Sequence, residues 1–247
     1  MSDDLRAYAL GWEWFTLGDL DLATHLARTE LLRRGLPLSA VTARLAARWG
    51  VGARLLPATD DEVETHVLVD AQDGTGSMHF EEWWVRHRAA LPARGFVQVG
   101  LAGATAAPGV VEALREADVV VLPPSNPVVS IGTILAIPGI GEALRATTAP
   151  VVGVSPVVGG APVRGMADAC LAAIGVDTDS AAVARHYGRR AAGGLLDAWL
   201  VDAVDERAAA SLRAEHWTVC AAPTLMTDVA TTARIAADAL ALVDRLP

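Results

Sequence analysis

The sequence predicts an α/β fold: a Rossmann-like three-layer sandwich with a mostly parallel sheet, covered by helices, and a small helical subdomain over about residues 19–50. Three observations carry this. Short β-branched runs alternate with longer amphipathic stretches, the pattern of parallel strands joined by crossover helices. The apolar runs at 119–122 and 151–154 lead into loops rich in Pro, Ser and Gly, and sheets of this kind bind ligands beyond the carboxyl ends of their strands. Finally, 247 residues that are 52% hydrophobic and 20% charged suffice for one large domain with a single core, so residues 1–247 read as one unit and disorder is excluded.

Strands are predicted at Ala53–Leu56, Thr65–Val69, Phe96–Gly100, Asp118–Leu122, Pro150–Ser155, Leu195–Val201 and Thr218–Ala221. Between them, helices are predicted at Leu20–Arg34, Ser39–Trp49, Glu81–Ala90, Gly109–Ala117, Ile140–Thr147, Met166–Ile174, Ser180–Tyr187, Asp205–Glu215 and Asp228–Asp244. Ser39 stands as an N-cap before an Ala- and Leu-rich run, and Gly35 follows Arg33-Arg34 where a helix should stop. The opening stretch Leu5–Phe15 carries no strand of its own and no glycine-rich turn, an abrupt start for a doubly wound sheet.

Composition removes several function classes. A net charge of −9 argues against nucleic acid and against an anionic membrane as partners. All 20 basic residues are Arg, so no P-loop lysine, Schiff-base lysine or lysine base exists in this chain. Cys170 and Cys220 lie far apart with no CxxC and no His at metal spacing, and read as core thiols. The acidic N-terminus lacks an apolar signal region and no apolar run reaches about 18 residues; a cytoplasmic location is expected.

Candidate chemistry gathers at strand ends. Ser125, Asn126 and Ser130 follow the 119–122 run, placed either to hold a phosphate or base edge or simply to cap a turn before Pro127 starts a helix. Ser155, Gly159 and Gly160 follow the next strand, where two missing Cβ atoms admit a ligand or make an ordinary turn. Arg164 can pair a phosphate bidentately or stay an exposed surface charge. Asp19, Asp21, Thr24, His25 and Arg28 share a helical segment, as an anion-binding cluster or as first-turn acids with an ion-paired Arg. Asp60, Asp61, Glu62 and Glu64 are either a divalent-ion cluster or solvated turn acids. His79, with Glu82 nearby, is an acid–base candidate or a structural helix-entry His, and Trp83 and Trp84 read as core more readily than as a stacking platform. No Ser-His-Asp order, zinc motif or GxGxxG competes.

Taken together, LGDxDLATHLxRTxLL (Leu17 to Leu32), LPxTDDxVETHV (Leu56 to Val67), HFxEWWVR (His79 to Arg86), PSNPVVSIGxILxIPGI (Pro124 to Ile140), PVVGVSPVVGG (Pro150 to Gly160) and TLMTD (Thr224 to Asp228) resemble the 2-phospho-L-lactate transferase family. Its archaeal members are called CofD and its actinobacterial members FbiA; WWVR and RGMAD (Arg164 to Asp168) are similar to the actinobacterial branch. The resemblance implies a step in the making of coenzyme F-420. A guanosine diphosphate-activated three-carbon acid, lactyl or enolpyruvyl, gives up its phosphoryl group to the terminal ribityl hydroxyl of the deazaflavin Fo, and GMP leaves. It further implies Mg²⁺, whose charge offsets that of a splitting pyrophosphate, and a homodimer.

Carried over by position, the resemblance puts Ser125 and Asn126 on the guanosine nucleotide, and Ser155, Gly159 and Gly160 along the adjoining crevice, with Ser130 and Arg164 among the substrate-binding residues. Asp19, Asp21 and His25 take the catalytic side, with Thr24 and Arg28 facing Fo or phosphate. The family's opening strand, GGxGGA loop and Asn-x-Gly-Asp-Asp stretch do not precede Met1. The expectation is therefore an N-terminally truncated member whose metal acid lies before Met1 and whose sheet exposes an unpaired edge. Two further readings follow: a nucleotide-binding but catalytically inactive fragment, and a nicotinamide oxidoreductase, disfavoured because no GxGxxG follows a strand.

Overall fold

The computed structural model describes Ala7, residues 14–71 and residues 74–246; most of the Leu5–Phe15 opening lies outside the described residues. After Ala7, which is helical, the described residues form two helices, α1 (Asp19–Arg33) and α2 (Leu38–Trp49), that pack on each other. They are followed by three strands, β1 (Glu64–Ala71), β2 (Gly74–His79) and β3 (Ala93–Val99), with a five-residue π-helical turn (Glu82–Arg86) between β2 and β3. The rest of the chain is α3 (Val110–Glu116), β4 (Val120–Leu122), α4 (Ile131–Ala136), α5 (Ile140–Ala146), β5 (Val151–Val154), β6 (Val157–Val158), β7 (Ala161–Pro162), α6 (Ala167–Ala173), α7 (Ser180–Tyr187), β8 (Ala198–Val201), α8 (Glu206–Ala214), β9 (Thr218–Ala221) and α9 (Val229–Leu240).

The parallel sheet has the order β4-β5-β8-β9. Period-two alternation sorts its side chains into two cores. Val151, Trp199, Val201 and Val219 face one side, where they pack with residues of α5, α7 and α8, such as Leu144, Val183 and Leu212. Val152, Val154, Ala198 and Leu200 face the other, against Ile235 and Ala239 of α9. Helices on both faces explain why every residue of β5 and β8 is buried and why these strands read as continuous apolar runs. The size change across the pair is compensated: Gly153 lies opposite Trp199, and a Cβ on Gly153 would come within 2.4 Å of the indole ring.

The expected strands at 65–69 and 96–100 exist but do not join this sheet. They form a separate antiparallel one, ordered β2-β1-β3, with a register shift between Leu68 and Val69. Its inner face carries Val67, Val69 and Phe96 onto Trp83, which is fully buried and donates Nε1–H to the Leu91 carbonyl at 2.8 Å. β2, GTGSMH, has two glycines and little β-branching, so no apolar alternation announced it.

Other expectations are corrected. Ala53–Leu56 is irregular, with Leu55 half exposed and no strand beside it. The helix expected over Glu81–Ala90 stops after its π-helical turn because Arg88 and Ala89 take left-handed φ of 51° and 54°. The Asp228–Asp244 helix ends at Leu240 and gives way to a short 3₁₀ turn at Val243–Arg245. Ser39 does not cap α2; Pro37 holds that position, and the Ser39 N–H and hydroxyl bond to the Asp60 carboxylate 21 residues away. No helix among the described residues is long and apolar enough to cross a membrane.

Gly153→Ala forces the Trp199 ring or the strand to move. The expected outcome is a loss of about 1–3 kcal/mol of stability, read as a lower urea midpoint with unchanged slope.

Candidate functional site

The carboxyl ends of β4, β5 and β9 open on the same side of the sheet, and their loops enclose a cavity of about 410 Å³. Asn126 and Pro124 come from the β4 loop, Ser155 and Pro156 follow β5, and Thr224, Leu225 and Met226 follow β9. Val158 and, after the β6–β7 hairpin, Val163 and Arg164 close the remaining wall. Val163, Leu225 and Met226 are 57%, 45% and 50% exposed. Three aliphatic side chains left in water around one cavity suit the apolar face of a flat ring rather than a sugar or a free phosphate.

A second cavity, of about 510 Å³, adjoins it through the shared residues Pro124, Asn126 and Arg164. Its wall is aromatic: Phe80 and Trp84 pack with centroids 5.8 Å apart, and Ser125, Val129, Ser130 and Met166 complete the lining. The two neighbouring indoles diverge, as successive side chains of a helical turn do. Trp83 is completely buried and belongs to the core, as expected, whereas Trp84 is 39% exposed and looks into the cavity, which the core reading missed. Arg164 borders both cavities and has no hydrogen-bond or ion-pair partner among the described residues. A guanidinium without a partner at such a junction is available to an anion bridging the two spaces.

The β4 loop is rigid by construction. Asn126 Oδ1 accepts from the backbone N–H groups of Val128 and Val129 at 2.9 and 3.1 Å, while its carbonyl accepts from Ser130 and Ile131. The turn-capping reading of Asn126 therefore holds for its side-chain oxygen, while its amide NH₂ faces the Cys170 thiol with one hydrogen and has the other to give. Gly132 lets the first turn of α4 approach, since a Cβ there would stand 2.8 Å from the Pro127 carbonyl. On the other side of Asn126 lies the buried thiol of Cys170; burial pushes its pKa up to about 11, against a lesser lowering by the Asn126 hydrogen bond.

The predicted site residues do not all converge. Ser155 lines the first cavity but is 2% exposed, and its hydroxyl donates to the Val157 carbonyl at 2.9 Å and accepts the Val157 N–H at 3.2 Å, so it is committed to the turn. Gly159 and Gly160, with φ of 60° and 78°, are the two central residues of the β6–β7 hairpin rather than cavity wall, and the Gly159 N–H donates to Asp205. Asp19, Asp21, Thr24 and His25 sit on α1, which buries no residue, and line neither cavity. Asp21 accepts from the Gly18 N–H at 3.3 Å and the Thr24 hydroxyl donates to the Leu20 carbonyl at 2.9 Å, both local helix bonds. Asp19 is not the N-cap, a position Gly18 takes.

Arg28 faces a third cavity of about 700 Å³, walled by Asp60, Asp61, Glu62, Glu64 and the Thr133–Ile134 side of α4. Its acids serve the fold first: Asp60 holds Ser39, and Asp61 accepts from the Thr105 N–H at 2.9 Å. Among the described residues, no three His, Cys, Asp or Glu side chains gather to hold a metal ion. Leu225, Met226 and Val163 were not singled out from the sequence; an apolar residue declares itself as a site residue only by being left in water at a cavity mouth.

Comparison with known proteins agrees with the motif series. A family model described as 2-phospho-L-lactate transferase CofD matches residues 2–236. A Streptomyces coelicolor protein named phosphoenolpyruvate transferase is 54% identical over 246 residues, spanning 100% of this chain and 76% of its own length. A protein of the same name from Mycobacterium sp. (strain KMS) is 54% identical over 235 residues, covering 94% of this chain and 70% of its own length. The one from Nocardia farcinica is 52% identical over 243 residues. Among solved structures, a UPF0052-family protein from Bacillus halodurans superposes with a TM-score of 0.63 at 17% identity, covering 93% of this chain and 74% of that one, a likeness of fold.

Two outcomes follow from the geometry. Asn126→Ala strands two backbone N–H groups and should cost about 1–2 kcal/mol in urea unfolding, with Asn126→Asp, which keeps the acceptor, costing less. In the native protein at pH 8 a disulfide reagent should leave Cys170 unmodified, its thiolate being scarce and buried, and should reach it only on denaturation.

Proposed function

The chain belongs to the 2-phospho-L-lactate transferase family, and from that premise we propose that it moves a phosphoenolpyruvyl group, or its phospholactyl counterpart, from a guanosine diphosphate-activated donor to Fo, releasing GMP on the way to coenzyme F-420. The chain is a transferase; its donor, acceptor and metal are the proposed part. The names of the relatives at 52–54% identity support enolpyruvyl over lactyl. The reading places the enzyme in the cytoplasm as a homodimer, with no nucleic acid or membrane as partner.

The observation that carries it is the pair of adjoining cavities with Arg164 at their junction. A two-substrate phosphoryl transfer needs one compartment for each partner and a positive group where they meet. In this reading the guanine lies between Val163 and the Leu225-Met226 wall, and the deazaflavin ring rests on Trp84 and Phe80. The ribityl hydroxyl then attacks the phosphorus that bears the three-carbon acid; the bond from that phosphorus to the GMP oxygen breaks, and the hydroxyl proton leaves to solvent or a base. Arg164 stabilises the charge accumulating on the departing phosphate, a contribution made in the transition state and of several kcal/mol when water is excluded. Asn126, held by its oxygen and with one amide hydrogen toward Cys170, offers the other to the same phosphates. In this reading Ser130 lies beside the ring, while Asp19, Asp21, Thr24, His25 and Arg28 of α1 line neither compartment and are given no step. The described residues hold no ready donor set for the Mg²⁺ that the resemblance implies, and no step above is routed through a metal.

The test is Fo consumption and GMP release by Met1–Pro247 with the enolpyruvyl donor, run with Mg²⁺ and with EDTA. Turnover with Mg²⁺ is expected; GDP binding by calorimetry without turnover would replace the proposal by the binding-only reading. Arg164→Ala should lower kcat/KM about 100-fold or more while leaving the urea midpoint unchanged, since the side chain is exposed and supports nothing in the fold.

A further inference from the structure

β8 lies between β5 and β9 in the sheet, so the loop that follows it is flanked by the two loops that wall the first cavity. That loop carries two carboxylates, and each is bonded to a different neighbour. Asp202, 5% exposed, accepts from the Thr224 N–H at 2.7 Å and from the Thr224 hydroxyl at 3.0 Å through one oxygen, and from the Val204 N–H at 3.0 Å through the other. Asp205 receives the Gly159 N–H on both oxygens, each at 3.1 Å. Neither acid lines the cavity. Thr224 is directly followed by Leu225 and Met226, and the Gly159-Gly160 turn is the end of the hairpin whose second strand runs straight into Val163 and Arg164.

We propose that Asp202 and Asp205 are positioning residues that act as one clamp: from a single loop they set the gap between the Leu225-Met226 wall and the Val163-Arg164 wall, and thereby the affinity for a nucleoside diphosphate. The proposal rests on the nucleotide reading of that cavity. The geometry has the needed asymmetry. Asp202 is fixed by three donors, which outweigh its burial and hold its carboxyl below the usual range, so it is charged at any working pH. Asp205 has a single backbone donor and is pushed up by burial and by the nearby Asp202 and Asp179, making the hairpin the looser jaw. Gly159 sits at φ 60° with its N–H aimed at Asp205, whose carboxylate is the one side-chain acceptor for the Gly159-Gly160 tip among the described residues, while the base of the hairpin is held by buried Val157.

The experiment uses GDP as probe and the whole chain. Thr224→Val removes the hydroxyl from the Asp202 contact at constant shape, Thr224→Ser restores it, and Asp205→Asn weakens the hold on Gly159. Thr224→Val and Asp205→Asn should each weaken GDP binding by about tenfold, the equivalent of one or two hydrogen bonds, with Thr224→Ser near wild type. Donor KM should rise with little change in kcat. Because either release opens the same gap, the double variant should bind GDP little worse than the weaker single one, whereas two unrelated structural defects would add. Unchanged affinity in both single variants, or strictly additive losses, overturns the clamp while leaving the nucleotide site intact. Failure of the unaltered chain to bind GDP overturns the nucleotide reading itself, and the clamp with it.

Discussion

The packing of Trp199 against Gly153 sets the distance and register between β5 and β8, and much else is measured from there. A tryptophan on one strand and a glycine directly opposite on the next allow two fully buried parallel strands to lie flat against each other while the indole fills the space beneath α7, donating its N–H to the Ser180 carbonyl at 3.1 Å. The register that results brings the ends of β5, β8 and β9 level with one another. Their loops therefore meet at one side of the sheet, where the loops after β5 and β9, with the Asn126 loop after β4, wall the cavity.

The two sheets divide the labour. The parallel sheet supplies polar loop ends and aliphatic walls; the antiparallel sheet, through the π-helical turn behind β2, supplies the aromatic wall. The β4 loop belongs to both spaces, and its backbone is tied by Asn126 on the inside and by the Pro127 carbonyl receiving the Gly132 N–H. Rigid placement of the shared residues, rather than a large number of charged groups, is what this arrangement offers a reaction between two bound molecules.

The parts of this architecture that were legible in the sequence are those governed by local rules. β5, β8 and β9 announced themselves as short, mostly apolar runs, and α7 and α9 as longer amphipathic stretches, whereas the N-caps Asp179 and Asp228 came to light only in the structure. The antiparallel placement of β1 and β3 was not legible, because pairing partners are chosen by tertiary contacts that a strand's own composition does not encode. Asp60 capping α2 from 21 residues away escaped for the same reason, as did β2, whose glycines hide its alternation. In the site, Asn126, Arg164 and Ser125 were visible as polar residues at strand ends. Trp84 was not separable from Trp83, since successive residues of a helical turn point about 100° apart and only tertiary packing decides which of the two meets the core. The α1 residues stood out by charge and spacing, yet a helix that buries nothing gives no packing reason to aim them at the cleft.

That separation of adjacent indoles has an optical consequence. Trp83 emits from a dry, fixed pocket and Trp84 from the mouth of a cleft, so the two rings, one peptide bond apart, report on different environments. A conjugated ring seated on Trp84 lies within energy-transfer range of both, but only Trp84 also changes its hydration when the cleft fills. The protein thus carries an intrinsic dye at the aromatic end of its site, with a built-in reference beside it.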